Sequence, residues 1–295
     1  AGRMKIGFWG VGAMGGPLAR RLVAAGYEVV AYSRSLEKAE AVASAGPTGR
    51  ATDKREELAS CGVVFTCLAL PEHVREAMSG PAGLYARLAP GAVHVECSTI
   101  DPFLASVLAE EAENRGIAYV QATLGKTPAV AAAGDAPMFV GGEEAVKERL
   151  WPMLTAMGKP VDVGSISASC AVKLISNLMG MANLAILAEG LRVGQCAGIE
   201  PEMLLPLLAD TGAHSFQMDV RGPWIARKDF MPRFALRLAH KDLRLGCEMA
   251  QRWKLETPVL NAARAVFARA EALGLGGQDC AAVSCVAEQQ GKEGD

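Results

Sequence analysis

The stretch Lys5-Ile6-Gly7-Phe8-Trp9-Gly10-Val11-Gly12-Ala13-Met14-Gly15-Gly16-Pro17 decides the fold. An apolar run ends in a G-x-G-x-x-G turn. A helical pattern follows over 17–25, and a second β-rich run at 28–32. Glycine turns are common, so the motif alone is weak. Strand before, helix after and a second strand beyond make it a dinucleotide fingerprint. Gly10 permits the tight turn, Gly12 lets the backbone approach a pyrophosphate, and Gly15 lets helix and strand pack closely. The helix start then offers unbonded amides and a positive dipole end to the phosphates. Gly10, Val11, Gly12, Ala13, Met14 and Gly15 are the expected phosphate-binding residues.

Outward from this turn, β-rich runs are read at 5–9, 28–32, 63–68, 92–96, 118–120, 137–140 and 161–163. Helix-length segments such as 17–25, 102–115 and 143–157 lie between several of them. This alternation implies parallel β-α-β units covered on both faces. It stops near Gly164. Beyond Ser165 there are only long Ala-, Leu- and Met-rich segments, broken at 198–201, 212, 222–223 and 258. The expected architecture is an α/β Rossmann domain with a mostly parallel, doubly wound sheet over 1–164. An all-helical domain for substrate binding and dimerisation follows over 165–295. The polar tail after Ala287 is expected to fray.

Apolar residues make up 51% of the chain and charged residues 21%, which is ordinary globular usage and excludes a disordered chain. A net charge of −2 without a basic stripe argues against a nucleic-acid partner. Eight cysteines form no C-x-x-C pair and no zinc spacing, so no metal centre is expected. Reduced thiols in a cytoplasmic compartment fit this usage. With a strand read from Lys5, no leader is expected before it. The longest apolar stretch, 174–191, is interrupted by Ser176, Asn177, Asn183 and Glu189 and reads as a buried helix, not a membrane span.

Two further features carry chemistry. The second strand ends Ala31-Tyr32-Ser33-Arg34-Ser35, where NAD enzymes place an acid for the adenosine ribose. An arginine between two hydroxyls suits a 2′-phosphate, because guanidinium binds phosphate bidentately. Ser33, Arg34 and Ser35 thus point to NADP, preferably as NADPH, with NAD still possible; a solvated loop arginine is the plain alternative. Lys173 and Asn177 are spaced i and i+4 in an otherwise small and apolar helical run, so they share a face. Periodicity alone leaves two readings of Lys173, a stem that snorkels to water or a catalytic ammonium.

Four stretches occur in order: the glycine turn continuing MGGPLARRLVAAGYEV, CSTIDP at 97–102, AVKLISN at 171–177 and LAHKDLRLG at 238–246. Together they resemble the β-hydroxyacid dehydrogenase family, which includes 3-hydroxyisobutyrate dehydrogenase, tartronate semialdehyde reductase and the glyoxylate/succinic semialdehyde reductases. The resemblance covers nearly the whole chain. It implies a catalytic role for Lys173 and a substrate-holding role for Asn177. Ser98 and Thr99 match the loop beside the nicotinamide. Leu70 and Pro71, with Leu68 just before them, match the loop after the fourth strand that lies against the cofactor. Lys241 and Asp242 match a Lys-Asp pair whose lysine comes near nicotinamide and substrate.

One motif departs. The family reads roughly D-A-P-V-S-G-G after its sixth strand, where the serine and glycine bind a substrate carboxylate. This chain has Gln121-Ala122-Thr123-Leu124-Gly125-Lys126-Thr127 instead. Thr123 replaces the proline and Gly125 the serine, while Lys126 adds a charge that either meets the substrate or lies in a surface loop. Ser98, Gly125, Lys126, Thr127, Lys173, Asn177 and Lys241 are the expected substrate residues. The resemblance further implies a small acidic substrate, a homodimer or homotetramer, and a cleft between the domains. Two rival readings stay open. An imine reductase has a similar Leu-Gly-Arg at 124–126 but generally lacks the lysine. A non-catalytic nucleotide-binding protein would keep the fold alone.

Overall fold

Runs rich in Val, Phe and Ala form the central strands, buried on both faces, while the strands at the two edges are partly exposed. In the computed structural model, which describes residues 4–289, these strands make one sheet. The strands are β1 (Ile6–Trp9), β2 (Val29–Tyr32), β3 (Gly49–Thr52), β4 (Val63–Thr66), β5 (Val93–Glu96), β6 (Ala118–Leu124), β7 (Pro137–Gly141) and β8 (Lys159–Gly164). Their order is β3-β2-β1-β4-β5-β6-β7-β8. All neighbours from β3 to β6 are parallel, β7 is antiparallel to β6, and β8 is parallel to β7.

Six helices cover this sheet: α1 (Gly15–Ala24), α2 (Leu36–Ala43), α3 (Pro71–Met78), α4 (Pro102–Glu113), α5 (Pro128–Ala132) and α6 (Glu144–Met157). Successive strand residues enter opposite cores, as a period of two requires. Val29, Ala31, Val63 and Phe65 pack with Leu18 and Leu22 of α1, whereas Val30, Tyr32 and Val64 pack with Val74, Met78 and Leu108. The sheet is doubly wound. Strand order reverses between β1 and β4, and in such sheets ligands bind outside the carboxyl ends at this reversal.

The remaining helices are α7 (Ile166–Cys196), α8 (Pro201–Ala209), α9 (Phe216–Arg227), α10 (Leu236–Arg252), α11 (Pro258–Ala270) and α12 (Ser284–Gln289). The chain divides into two compact units between Lys173 and Leu174, inside α7. The second unit has its own core, centred on Leu184, Leu191, Leu236, Leu243 and Phe267.

Several elements differ from expectation. β3 is absent from the sequence reading because Gly49-Arg50-Ala51-Thr52 is a half-exposed edge strand paired only with β2. β4 stops at Thr66, two residues early. β6 runs four residues further than expected, to Leu124, because β7 pairs antiparallel along Gln121–Leu124. The break expected at 222–223 is helical: α9 passes through Pro223, losing one amide donor. α7 is long and apolar enough, by length and composition, to cross a membrane. It is buried on one face only, with Leu178, Leu184 and Leu191 inside and Met179, Ile186 and Val193 exposed. The tail expected to fray is helical through Gln289, and the rest of it lies outside the described residues.

Candidate active site

At the strand-order reversal, β1 and β4 end side by side. Gly10 has φ +111, and a Cβ there would stand 2.1 Å from the Cys67 carbonyl oxygen. A Cβ on Gly15 would stand 1.8 Å from the Gly10 carbonyl oxygen. The chain's own packing therefore requires both glycines. Gly12 is different: a Cβ there would meet nothing within 4 Å, and the residue is exposed. Its missing side chain leaves open space over the turn, the room a pyrophosphate needs. The first turn of α1 carries no acidic residue, so its amides face that space without a competing carboxylate. These residues fit a nicotinamide dinucleotide.

Arg34 lies just past β2, one strand out from the turn. Its side chain is exposed and has no carboxylate partner among the described residues. Ser33 Oγ accepts the Ser35 amide at 3.2 Å, which closes the backbone turn at Arg34. Leu70 and Pro71 start α3, with the proline at its first position.

The loops after β4 and β5 are joined from beneath. The Leu68 amide donates to Ser98 Oγ at 2.8 Å, bringing two predicted residues together. The Ser98 amide donates to Glu96 Oε1 at 2.6 Å, and the Thr66 hydroxyl donates to Glu96 Oε2 at 2.7 Å. Thr66 has one hydroxyl proton. The 2.7 Å contact to His94 Nε2 must therefore be donated by the ring, leaving Nδ1 to accept from Tyr85 OH at 2.6 Å. Glu96 and His94 are fully buried. Burial pushes the Glu96 carboxyl up to about 7, against hydrogen bonds from Ser98 and Thr66, and holds the His94 ring down to about 3. The sequence reading missed this network. Its only local signal is Glu96 two residues before Ser98 on the same face.

The departing loop explains itself sterically. A Cβ at Gly125 would stand 2.6 Å from Pro137 Cγ, so the space of a serine side chain is already taken. Lys126 adopts φ +64, which costs a non-glycine residue on the order of 1–2 kcal/mol. Its side chain is exposed. Asp135, held below its ordinary value chiefly by Lys159 at 2.7 Å, also feels the Lys126 charge. Thr127 caps α5, its oxygen accepting the Val130 amide at 3.4 Å.

Lys173 is half-buried on α7. It lies within electrostatic reach of Cys67, whose thiol burial pushes up to about 12 while Lys173 pulls it down. Cys67 directly follows β4, so the lysine's charge is felt at the carboxyl end of that strand. In the second unit, Asn177 Nδ2 donates to Asp242 Oδ2 at 2.6 Å, and Lys241 Nζ lies 3.0 Å from Asp242 Oδ1. Asp242 is buried; its Oδ2 holds the asparagine amide, while its Oδ1 is ion-paired with the lysine and has no hydrogen-bond partner among the described residues. Gly246, one turn on, makes this possible: a Cβ there would stand 2.6 Å from Leu178, so α10 approaches α7 closely. The sequence motif ending in Gly246 contained this signal, but the partner, 65 residues from Asp242, was not readable.

A family model described as the NAD binding domain of 6-phosphogluconate dehydrogenase matches residues 5–172. A second, described as NAD-binding of NADP-dependent 3-hydroxyisobutyrate dehydrogenase, matches 167–286. The chain is 34% identical to 2-(hydroxymethyl)glutarate dehydrogenase of Eubacterium barkeri, over 97% of this chain and 95% of that one. It is 26% identical to the chloroplastic glyoxylate/succinic semialdehyde reductase 2 of Arabidopsis thaliana, over 96% of this chain and 79% of the relative. The crystal structure of 3-hydroxyisobutyrate dehydrogenase from Salmonella typhimurium shares the fold with a TM-score of 0.87, at 24% identity, over 96% of this chain and 99% of that one.

Proposed function

The chain belongs to the β-hydroxyacid dehydrogenase family of NAD(P)-dependent oxidoreductases, and from that membership we propose that Lys173 is its general acid and base. The single observation that carries this reading is the helical face shared by Lys173 and Asn177, with Asn177's amide nitrogen tied to buried Asp242. That tie leaves the amide oxygen to accept from a substrate hydroxyl. A bound nicotinamide supplies or accepts hydride at the substrate carbon. Lys173 gives a proton to the developing alkoxide during reduction and takes the hydroxyl proton during oxidation. Asn177 orients that oxygen. Lys241, held by Asp242, is assigned to the substrate and nicotinamide. Leu68, Leu70, Pro71 and Thr99 are assigned to cofactor contact.

The substrate we propose is a short β-hydroxyacid or its aldehyde-acid partner. A dicarboxylic compound suits the relative that acts on 2-(hydroxymethyl)glutarate, with Lys126, Thr127 and Ser98 as further contacts. NADPH is the proposed cofactor, supported by Arg34 between two serines where an acid would favour NADH. Residues 1–164 bind the nucleotide, and 165–295 bind substrate and dimerise. The exposed apolar side chains Ile175, Met179, Ile186 and Val193 of α7 support a homodimer or higher oligomer. A molar mass of one chain by light scattering would contradict that assignment. Eight unbridged cysteines support a reducing, cytoplasmic compartment.

The experiment is a turnover screen of short aldehyde-acids, their neutral analogues and a cyclic imine, each with NADPH and NADH. Turnover of an acidic aldehyde, at least about tenfold better with NADPH, is expected from one charge-assisted phosphate contact. Arg34→Ala should remove that preference. Preferential imine turnover would favour an imine reductase. NADPH binding without any turnover would favour a non-catalytic protein.

A further inference from the structure

Thr123 on β6 and Ser169 in the first turn of α7 are both fully buried, and they bind each other. The Thr123 hydroxyl donates to the Ser169 carbonyl oxygen at 2.9 Å and lies 3.1 Å from Ser169 Oγ. The Thr123 amide donates to Ser169 Oγ at 3.4 Å. Ser169 Oγ in turn donates to the Phe139 carbonyl oxygen on β7 at 2.6 Å. One serine thus ties the start of the helix to two strands.

The position of this clasp gives it a purpose. In an α-helix the carbonyl of residue 169 is the acceptor for the amide of residue 173. The Thr123 hydroxyl therefore bonds to the same oxygen that anchors the Lys173 backbone. Residues four apart share a helix face, so Lys173 leaves the helix one turn above the clasp, on the same side. On the strand, Thr123 stands two residues before Gly125 and three before Lys126. The proline that the related motif carries at position 123 has neither the hydroxyl nor the amide proton that the clasp uses.

We infer that the Thr123–Ser169 clasp is a positioning device, setting the rotation and register of Lys173 relative to the Gly125–Thr127 loop. Thr123 and Ser169 are positioning residues and touch neither substrate nor cofactor. The inference rests on Lys173 being the proton-transfer residue. A buried hydroxyl pair with only a packing role would affect stability. A pair that aims the lysine affects the chemical step, because misplacement by about 1 Å can cost up to about a hundredfold in rate.

The test compares Thr123→Val, Thr123→Ser and Ser169→Ala with wild type and Lys173→Met in the full chain. The readouts are kcat and KM for the best substrate of the screen, NADPH Kd and thermal midpoint. Thr123→Val keeps the shape and removes the hydroxyl. It should lower kcat about tenfold with KM and NADPH Kd within about twofold, and Thr123→Ser should restore kcat. Wild-type kcat in folded Thr123→Val, beside an inactive Lys173→Met, overturns the clasp and leaves the lysine reading standing. Wild-type kcat in Lys173→Met overturns both. Should Thr123→Val not fold, Ser169→Ala decides: alanine suits a helix and keeps the Thr123 bond to the carbonyl, but it removes the Oγ that meets the Thr123 amide, the Thr123 hydroxyl and the Phe139 carbonyl. A kcat loss of similar size supports the inference, and wild-type kcat contradicts it.

Discussion

Glu96 and His94 lie fully buried beneath the Ser98 loop, linked through Thr66, and their proton equilibria oppose each other. Burial raises Glu96 from 4.5 to about 7. Its contribution to stability is thus complete below about pH 4.5 and is lost as pH rises towards 7. Burial lowers His94 from 6.5 to about 3, so its contribution is complete above 6.5 and is lost as pH falls towards 3. Between pH 4.5 and 6.5 the two slopes cancel. Glu96→Gln removes one of them. Its unfolding free energy relative to wild type should therefore rise with pH across that window, by at most about 1.4 kcal/mol per unit. Denaturant melts at several pH values measure this, and parallel wild-type and variant curves would count against the network. Buried titratable partners of this kind are the least readable part of the sequence. Glu96 and His94 appear in β5 as polar residues in an apolar strand, and only the fold shows that Thr66, 28 residues before His94, joins them.

At the scale of elements, the β1–α1 turn separates glycines that the fold needs from one assigned to the cofactor. Gly10 lies in the left-handed region and Gly15 abuts the Gly10 carbonyl. Alanine at Gly10 should cost more than about 2 kcal/mol, a strain and overlap effect. Gly12 has neither a positive φ nor a neighbour. Gly12→Ala should leave the thermal midpoint nearly unchanged while weakening NADPH binding at least tenfold, about 1.4 kcal/mol. Calorimetric melts and a fluorescence titration separate the two. Unchanged NADPH affinity in Gly12→Ala would mean that the dinucleotide does not lie over this turn. This element was legible because its signal is local: strand, glycines and helix follow within a few residues. The start of α7 was legible only in part. Lys173 and Asn177 share a face by arithmetic, but their supports come from afar. Ser169 meets Thr123 across 46 residues, and Asn177 meets Asp242 across 65. β3 escaped for another reason, since a short edge strand containing Gly49 and Arg50 has no apolar pattern to read.

Across the whole molecule, the residues assigned to nucleotide phosphates and ribose belong to the first compact unit, whereas Lys173 is the last residue of that unit, on the helix that continues into the second. Alternation of strands and helices announced the α/β sheet, and the end of that alternation announced the helices that follow. The pairing that extended β6 and reversed β7 was not announced, because only tertiary contacts set it. This arrangement makes cofactor affinity and chemistry separable by mutation. Lys173→Arg keeps the charge but cannot release its proton in the working range, so it should be slow as well. The most direct measurement is kcat of Lys173→Met with NADPH and the best acidic aldehyde, beside its NADPH Kd by fluorescence titration. The account predicts a fall in kcat of about 10²- to 10⁴-fold with Kd within about twofold of wild type. Near-native kcat in that variant would contradict it.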